Sequence, residues 1–201
     1  MYGNYPSQGK GDKEGTQMKT MKKALLMLAL STCALAASAQ MKDPDVGGAA
    51  MYPTKTIVEN AVNSPIHKTL VSAVKAAGLV ETLNGPGPFT VFAPTDEAFA
   101  KLPSGAVGNL VKPENKSALA KILTYHVVAQ RISSRELKAW IKKGGGKYAM
   151  TTVEGGKLTA SMSGANIVLT DETGSTANIT TADVFQSNGV IDVINAVLMP
   201  M

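Results

Sequence analysis

Phe89-Thr90-Val91-Phe92-Ala93-Pro94-Thr95-Asp96-Glu97-Ala98-Phe99 spells out a strand, its end and the start of a helix in one short stretch. Phe89 to Ala93 is a brief apolar run of β-forming residues, which predicts a buried strand. Pro94 lacks a backbone donor and closes it. Thr95 is placed to cap a helix whose first turn carries Asp96 and Glu97, two acids at the positive end of the dipole, and Pro103 terminates that helix. A second stretch lies near the other end: Ser187-Asn188-Gly189-Val190-Ile191-Asp192-Val193-Ile194-Asn195-Ala196-Val197-Leu198-Met199-Pro200. Asn188-Gly189 is a turn pair that readily adopts positive φ. Val190, Ile191, Val193, Ile194, Val197 and Leu198 follow as a nearly unbroken β-run, suited to a central strand.

Working outward, the residues before and between these stretches carry helical spacing. Ile57, Val58, Ala61 and Val62 mark one apolar face, and Ser64-Pro65 predicts an N-cap followed by proline at the first helical position. Ile66, Leu70, Ala73, Val74 and Ala77 form the inner face of that helix, which Gly78 ends. A further helix is predicted from Pro113 to Leu123, then extended chain over Tyr125–Val128. Ser133 and Glu136 have capping-box spacing before Leu137, Trp140 and Ile141, with a stop at Gly144-Gly145-Gly146. The period then changes. Tyr148–Val153, Lys157–Met162, Asn166–Thr170 and Ala177–Thr180 are short β-like segments parted by glycine-bearing turns, a meander. Helices crowded early and strands crowded late predict an α+β fold, not a parallel α/β sheet.

The chain has 201 residues, 44% hydrophobic, 17% charged and 5% aromatic, which is globular composition with a core of aliphatic side chains. Its formal charge of +5 is uneven. Residues 1–39 hold five Lys and two acids, and the remainder holds 15 basic and 13 acidic side chains. Without a basic tract interleaved with aromatics, nucleic acid is not expected as a partner. Lys19, Lys22 and Lys23 precede an apolar run from Ala24 to Ala37 that closes in Ala37-Ser38-Ala39, the pattern of a cleaved signal peptide. As a helix that run would rise about 21 Å, short of the roughly 30 Å of a bilayer core, so no permanent span is expected. The reading divides the chain into a polar extension over 1–17, a signal over 18–39, a linker over 40–53 and a single domain over 54–200. Cys33, the only cysteine, lies within the signal, in a context (Leu30-Ser31-Thr32-Cys33) that departs from a lipoprotein acylation site. The mature chain would then have no thiol for a disulfide, a metal or a nucleophile.

The two quoted stretches resemble the two signature boxes of fasciclin (FAS1) domains, and Leu123-Thr124-Tyr125-His126-Val127 resembles the Tyr-His segment between them. The resemblance spans about Thr54–Pro200. It implies a wedge-like β-sandwich with surrounding helices and a non-enzymatic, exported adhesion module that binds a cell-surface or matrix protein or glycan. Phe89, Phe92, Pro94, Thr95, Asp96, Asn188, Gly189 and Pro200 are expected as scaffold. Tyr125 and His126 are candidates for an interaction site, or else a phenol and an imidazole packed beneath the boxes. Asp183-Val184 stands where the resemblance implies an integrin-contacting pair, and the same Asp read on its own is a solvated turn acid. The sequence departs from the family pattern at Asp192, where His is common, and at Asn195, where Asp is common. An Asp192 pointing inward needs a hydrogen-bond partner or a raised pKa.

No catalytic, cofactor or metal site is predicted. His67 and His126 are the only histidines, and no H-E-x-x-H, phosphate-binding glycine loop or Gly-x-Ser-x-Gly elbow occurs. The alternative function is a soluble carrier of a small apolar ligand such as a carotenoid, with Met150, Met162 and Met199 as adaptable lining.

Overall fold

The computed structural model describes residues 44–201. The predicted extension, the signal and Cys33 lie outside the described residues. In chain order the elements are helices α1 (Ile57–Ala61), α2 (Lys68–Ala77) and α3 (Val80–Asn84), strand β1 (Phe89–Pro94), helices α4 (Asp96–Ala100) and α5 (Ala106–Leu110), a 3-10 turn (Pro113–Asn115), helix α6 (Lys116–Tyr125), strand β2 (Val127–Val128), helix α7 (Ser134–Lys143), and strands β3 (Lys147–Thr151), β4 (Lys157–Ser163), β5 (Asn166–Thr170), β6 (Thr176–Gln186) and β7 (Gly189–Ile194). The fold is α+β.

Seven strands lie in the order β2-β1-β7-β6-β5-β4-β3. Every pairing is antiparallel except that of β1 with β7, which run parallel in register from Phe89 opposite Gly189 to Pro94 opposite Ile194. The two stretches that decide the fold are therefore neighbours inside the sheet, second and third in the strand order. All six β7 residues are buried, as a strand between two others and between two packed faces must be.

Strand β6 joins the two halves. Its first part pairs with β5 and its second with β7, and the register shifts twice, between Ile179 and Thr181 and between Thr181 and Val184. Asp183 sits in the second irregularity at φ 61°, the left-handed region that side chains rarely occupy. Bulges of this kind bend a strand and increase its twist, and two separate apolar clusters result. One packs α1, α2 and α6 against Val91, Ala93, Val184, Ile191 and Val193. The other encloses Phe92, Tyr125, Ile194 and Leu198 with α7 and the meander residues Met150, Leu158, Ala160, Ile167, Leu169 and Ala177.

Helix α7 starts where the sequence places it, with reciprocal bonds between Ser133 and Glu136. Thr56 and Glu59 build a second capping box at α1. Several expectations are corrected. The helix expected to start at Ser64-Pro65 begins at Lys68, because Ser64 is buried and its hydroxyl bonds the His67 ring at 2.8 Å. Its exposed amides are capped from another element: Asp96 accepts from Thr69 N–H at 2.8 Å and from Lys68 N–H at 3.3 Å. Val62, assigned to an inner face, is 50% exposed. Tyr125 is helical and only Val127–Val128 is strand, since α6 runs two residues beyond the expected end at Leu123. Gly189 has no positive φ, and β7 ends at Ile194 while Leu198 packs in the core as irregular chain. Part of the expected linker is core as well: Val46 and Met51 are 3% and 6% exposed, so the packed unit begins ahead of Thr54.

Candidate functional site

Tyr125 and His126 end α6, and a backbone turn leads directly into β2. Tyr125 is fully buried. Its hydroxyl donates to the Lys157 carbonyl at 2.7 Å and accepts from Glu172 N–H at 3.2 Å. Burial pushes its pKa up to about 12; the bond from Glu172 opposes this, and the surrounding carboxylates of Glu172, Asp171 and Glu154 add to it. The His126 ring stands edge-on to Tyr125 with centroids 6.5 Å apart. Its Nδ1 lies 2.8 Å from the Ile122 carbonyl and so carries the proton, which leaves Nε2 to accept from Leu198 N–H at 3.1 Å. Burial pushes its pKa down, and the Ile122 bond and the Asp171 charge only partly offset that. Asp171 completes the arrangement by accepting from Met199 N–H at 2.9 Å. These groups tie the end of α6, the β5–β6 turn and the chain after β7 into one unit.

Beside the middle of β7, Asp183 accepts from Ser134 N–H at 2.7 Å through one oxygen and from the Ser134 hydroxyl through the other. It thereby serves the first turn of α7. Asp183 also donates its own N–H to Asp192 at 2.9 Å. Asp192 is 1% exposed, and burial, with the charge of Asp183 beside it, pushes its pKa up to about 7 despite that bond. Val184 is fully buried.

Three of the four candidate contact residues are thus buried, and Asp183 is half-buried. Tyr125, His126 and Val184 have no exposed area to offer a partner, and Asp183 uses both oxygens on Ser134. The proposed Asp183-Val184 contact is corrected on this ground: the bulge turns Val184 into the core and aims Asp183 at the helix terminus. Tyr125-His126 and Asp183-Val184 form two separate internal sites, the first bonded to β1 and to the chain after β7, the second to β7 from the β6 side. Among the scaffold residues, Phe92, Pro94, Asn188 and Gly189 are buried, Phe89, Thr95, Asp96 and Pro200 half-buried. Thr95 caps α4 by accepting from Ala98 N–H at 3.2 Å. Asn195, the second family departure, accepts from Asn178 N–H at 2.8 Å. Among the described residues, no group of three or more His, Cys, Asp or Glu is placed to hold a metal ion, and no helix is long and apolar enough to cross a membrane.

The family model for the fasciclin domain matches residues 65–200, more than half of the chain. The chain belongs to the fasciclin domain family. Protein sll1483 of Synechocystis sp. is 41% identical over 191 residues, covering 91% of this chain and 99% of its own. The cell surface glycolipoprotein MPB83 of Mycobacterium bovis is 34% identical over 160 residues, covering 77% of this chain and 64% of its own. The transforming growth factor-beta-induced protein ig-h3 of Sus scrofa is 34% identical over 148 residues, which is 74% of this chain but 20% of that far longer protein. A solved FAS1 domain pair from the insect cell adhesion molecule Fasciclin I shares the fold, with a TM-score of 0.64 at 19% identity over 72% of this chain and 51% of the other.

One apolar pocket opens in this fasciclin domain, between α1, α2, α3 and β1. Ile57, Val58, Leu70, Val74, Val80 and Leu83 line its walls and Lys75 its rim. The space between atoms reaches about 600 Å³ with the open mouth included, but the cavity proper is about 40 Å³. Small-molecule sites begin at about 300 Å³. None of the methionines proposed for a carrier lines the pocket, and Met150 is buried in the other core. The geometry gives no support to a carotenoid carrier.

Sequence reasoning missed one feature that the structure makes plain. Arg135, Lys138 and Lys142 are exposed on a single side of α7, and the Trp140 and Tyr148 rings pack together beside them with centroids 5.0 Å apart. The signal was available in the i, i+3, i+7 spacing of a segment read only for its capping box.

Asp192 supplies a pH-dependent prediction. Its folded pKa lies above its unfolded value, so the folded state holds an extra proton between about pH 4 and 7 and loses stability as pH rises through that window. An Asp192→Asn variant lacks that proton and that loss. Relative to wild type it should gain about 1.4 kcal/mol per pH unit from pH 4 to 7, then hold a constant lead. Urea unfolding at pH 4.5, 6 and 7.5 measures the gap; a gap that does not change with pH removes the protonated Asp192 from the account.

Proposed function

We propose that this fasciclin domain is exported and acts as a non-enzymatic binding module that attaches the cell envelope or matrix to a protein or glycan through its outer surface. The observation that carries the reading is the fate of the signature residues. Both boxes and the Tyr-His segment are used inside the fold as paired strands, caps and satisfied buried groups, which leaves recognition to the outer surface. The names of two relatives, a cell surface glycolipoprotein and a cell adhesion molecule, agree with it. The leader over 18–39 supplies the route of export.

The test is to express the full chain in a bacterial host, collect the exported protein and coat it on beads. The beads should be retained by bacterial surfaces above the level of beads coated with an unrelated protein. Mass spectrometry of the same material should find Gln40 at the N-terminus. Equal retention of the two bead types would sink the binding role, and an intact start at Met18 or Met21 would sink cleavage.

A further inference from the structure

We propose that the outward side of α7, continued by Lys147 on the edge strand β3, is a binding surface for an acidic polysaccharide. The inference rests on the binding-module reading and names its site and ligand class.

Charge is distributed oddly in this domain. Between Arg131 and Lys147 stand six of the fourteen basic residues in the described chain and one of its twelve acids. The segment carries a formal +5, and the other described residues together carry −3. Its one acid, Glu136, is already bonded to Ser133 in the capping box. Arg131 is committed too, donating to the Gln186 carbonyl at 2.8 Å and lying over the Phe185 ring. Arg135, Lys138, Lys142, Lys143 and Lys147 are all exposed, and none makes an ion pair among the described residues. Strands β3 and β4, against which α7 packs, contain no acid to neutralise them.

The spacing turns these charges into a surface. Leu137 and Ile141 are buried and fix the inner side of α7. Arg135, Lys138 and Lys142, at i, i+3 and i+7, then fall on the opposite side and span about 10 Å along the axis. Ala139 lies exposed among them, with Arg135 and Lys143 four residues away on either side, so its small side chain leaves a low floor bordered by cations. Like charges at three- and four-residue spacing cost a helix stability. The fold gains nothing from that repulsion, and a bound polyanion relieves it. The dipole accounts for Lys142 and Lys143 in the last turn, but not for Arg135 and Lys138 nearer the positive end.

Two observations favour a glycan over a lipid surface. The half-buried Trp140–Tyr148 pair borders the cations and offers aromatic ring area of the kind that stacks on flat, partly apolar ligands. None of the large exposed hydrophobic side chains, Tyr52, Val62, Val111, Val153, Met162 and Met201, belongs to α7, so this helix lacks the apolar wedge by which an interfacial helix enters a bilayer.

The full exported chain is passed over alginate beads, a polyuronate probe, with neutral dextran beads as control. Alginate should retain it at low salt and release it as salt rises. The triple variant Arg135→Ala, Lys138→Ala, Lys142→Ala should bind roughly tenfold more weakly, with melting temperature unchanged. A second triple, Lys68→Ala, Lys75→Ala, Lys112→Ala, removes the same charge elsewhere and should bind as wild type does. Trp140 is the only tryptophan, so its emission should shift with soluble alginate. Equal weakening in both triples, or an unmoved Trp140 emission, overturns the site. So does binding to phosphatidylglycerol vesicles without binding to alginate, which would mark a membrane surface. Beads coated with the α7 triple that cells hold as firmly as wild type would sink this site and leave the module reading intact. Wild type held by alginate but by no cell surface would keep the site and sink that reading.

Discussion

An Asn188→Ala variant is expected to lose about 3–5 kcal/mol of stability. The side chain is buried, and it reaches three backbone groups in two other elements. Oδ1 accepts from Ile57 N–H at 3.0 Å, at the first turn of α1, while Nδ2 donates to the carbonyls of Leu83 at 2.8 Å and Gly85 at 2.9 Å, where α3 ends. Its own carbonyl accepts from Phe89 N–H at 3.1 Å, so one residue aligns β7 with β1 and anchors two helices upon them. Alanine leaves three backbone groups without partners, those of Ile57 and Leu83 buried and that of Gly85 half-buried, at about 1–3 kcal/mol for each buried one. Asn188→Asp should be no better, because it keeps the acceptor but turns a carboxylate towards two carbonyls. Gly189 adds a steric limit: a Cβ there would sit 2.2 Å from the Phe89 carbonyl oxygen, so any side chain pushes β7 off its parallel partner. With total stability of order 5–15 kcal/mol, either change brings the chain near the unfolded state at 37 °C. Urea denaturation decides it; an alanine variant within about 1 kcal/mol of wild type would mean that Asn188 does not hold these elements together.

His126→Ala should cost about 2–4 kcal/mol at pH 7 and alter the acid limb of stability. The substitution opens a cavity between the cores and leaves Leu198 N–H and the Ile122 carbonyl without their partner. The sign of the pH effect follows from the direction of the shift. Burial holds the folded pKa below the ordinary histidine value, so the unfolded chain binds the proton first and stability falls as pH drops below about 6.5. His67 acts in the same sense: it is buried, its Nε2 has no hydrogen-bond partner, and its pKa is pushed down by burial, offset in part by the Ala93 carbonyl and the Asp96 charge. Wild type should therefore lose stability through two histidines on acidification and the variant through one. Asp192 contributes in the opposite sense but equally in both chains, so unfolding free energies between pH 7.5 and 5 would show this as a gap between wild type and His126→Ala that narrows on acidification. Parallel slopes would mean that His126 does not titrate with folding.

What the sequence disclosed follows from the range of the forces involved. The Phe89–Ala93 strand, the Thr95 cap, the Ser133–Glu136 box and the four-strand meander are local, and each was legible because propensity and capping act within a few residues. The central place of the β-run after Asn188 was legible from its unbroken apolar character. The start of α2 was not, because its cap comes from Asp96, on a different helix. The roles of Asp183 and Asp192 were hidden for the same reason. A double register shift in β6 points one carboxylate at the terminus of α7 and draws the other inward, and no spacing rule encodes a bulge of that kind. The cationic side of α7 was legible in principle: its period is helical, but it had to be weighed against the charge of the neighbouring strands, and only the sheet order supplies those neighbours.

The parallel seam between β1 and β7 also dictates a schedule. Strand β7, the latest of the seven in chain order, is the one inserted between β1 and β6, so a nascent chain that stops short of it has those two strands facing a gap. Contacts between residues so distant in sequence are slow to form and arrive together. The sheet therefore cannot close between β1 and β6 until β7 is available.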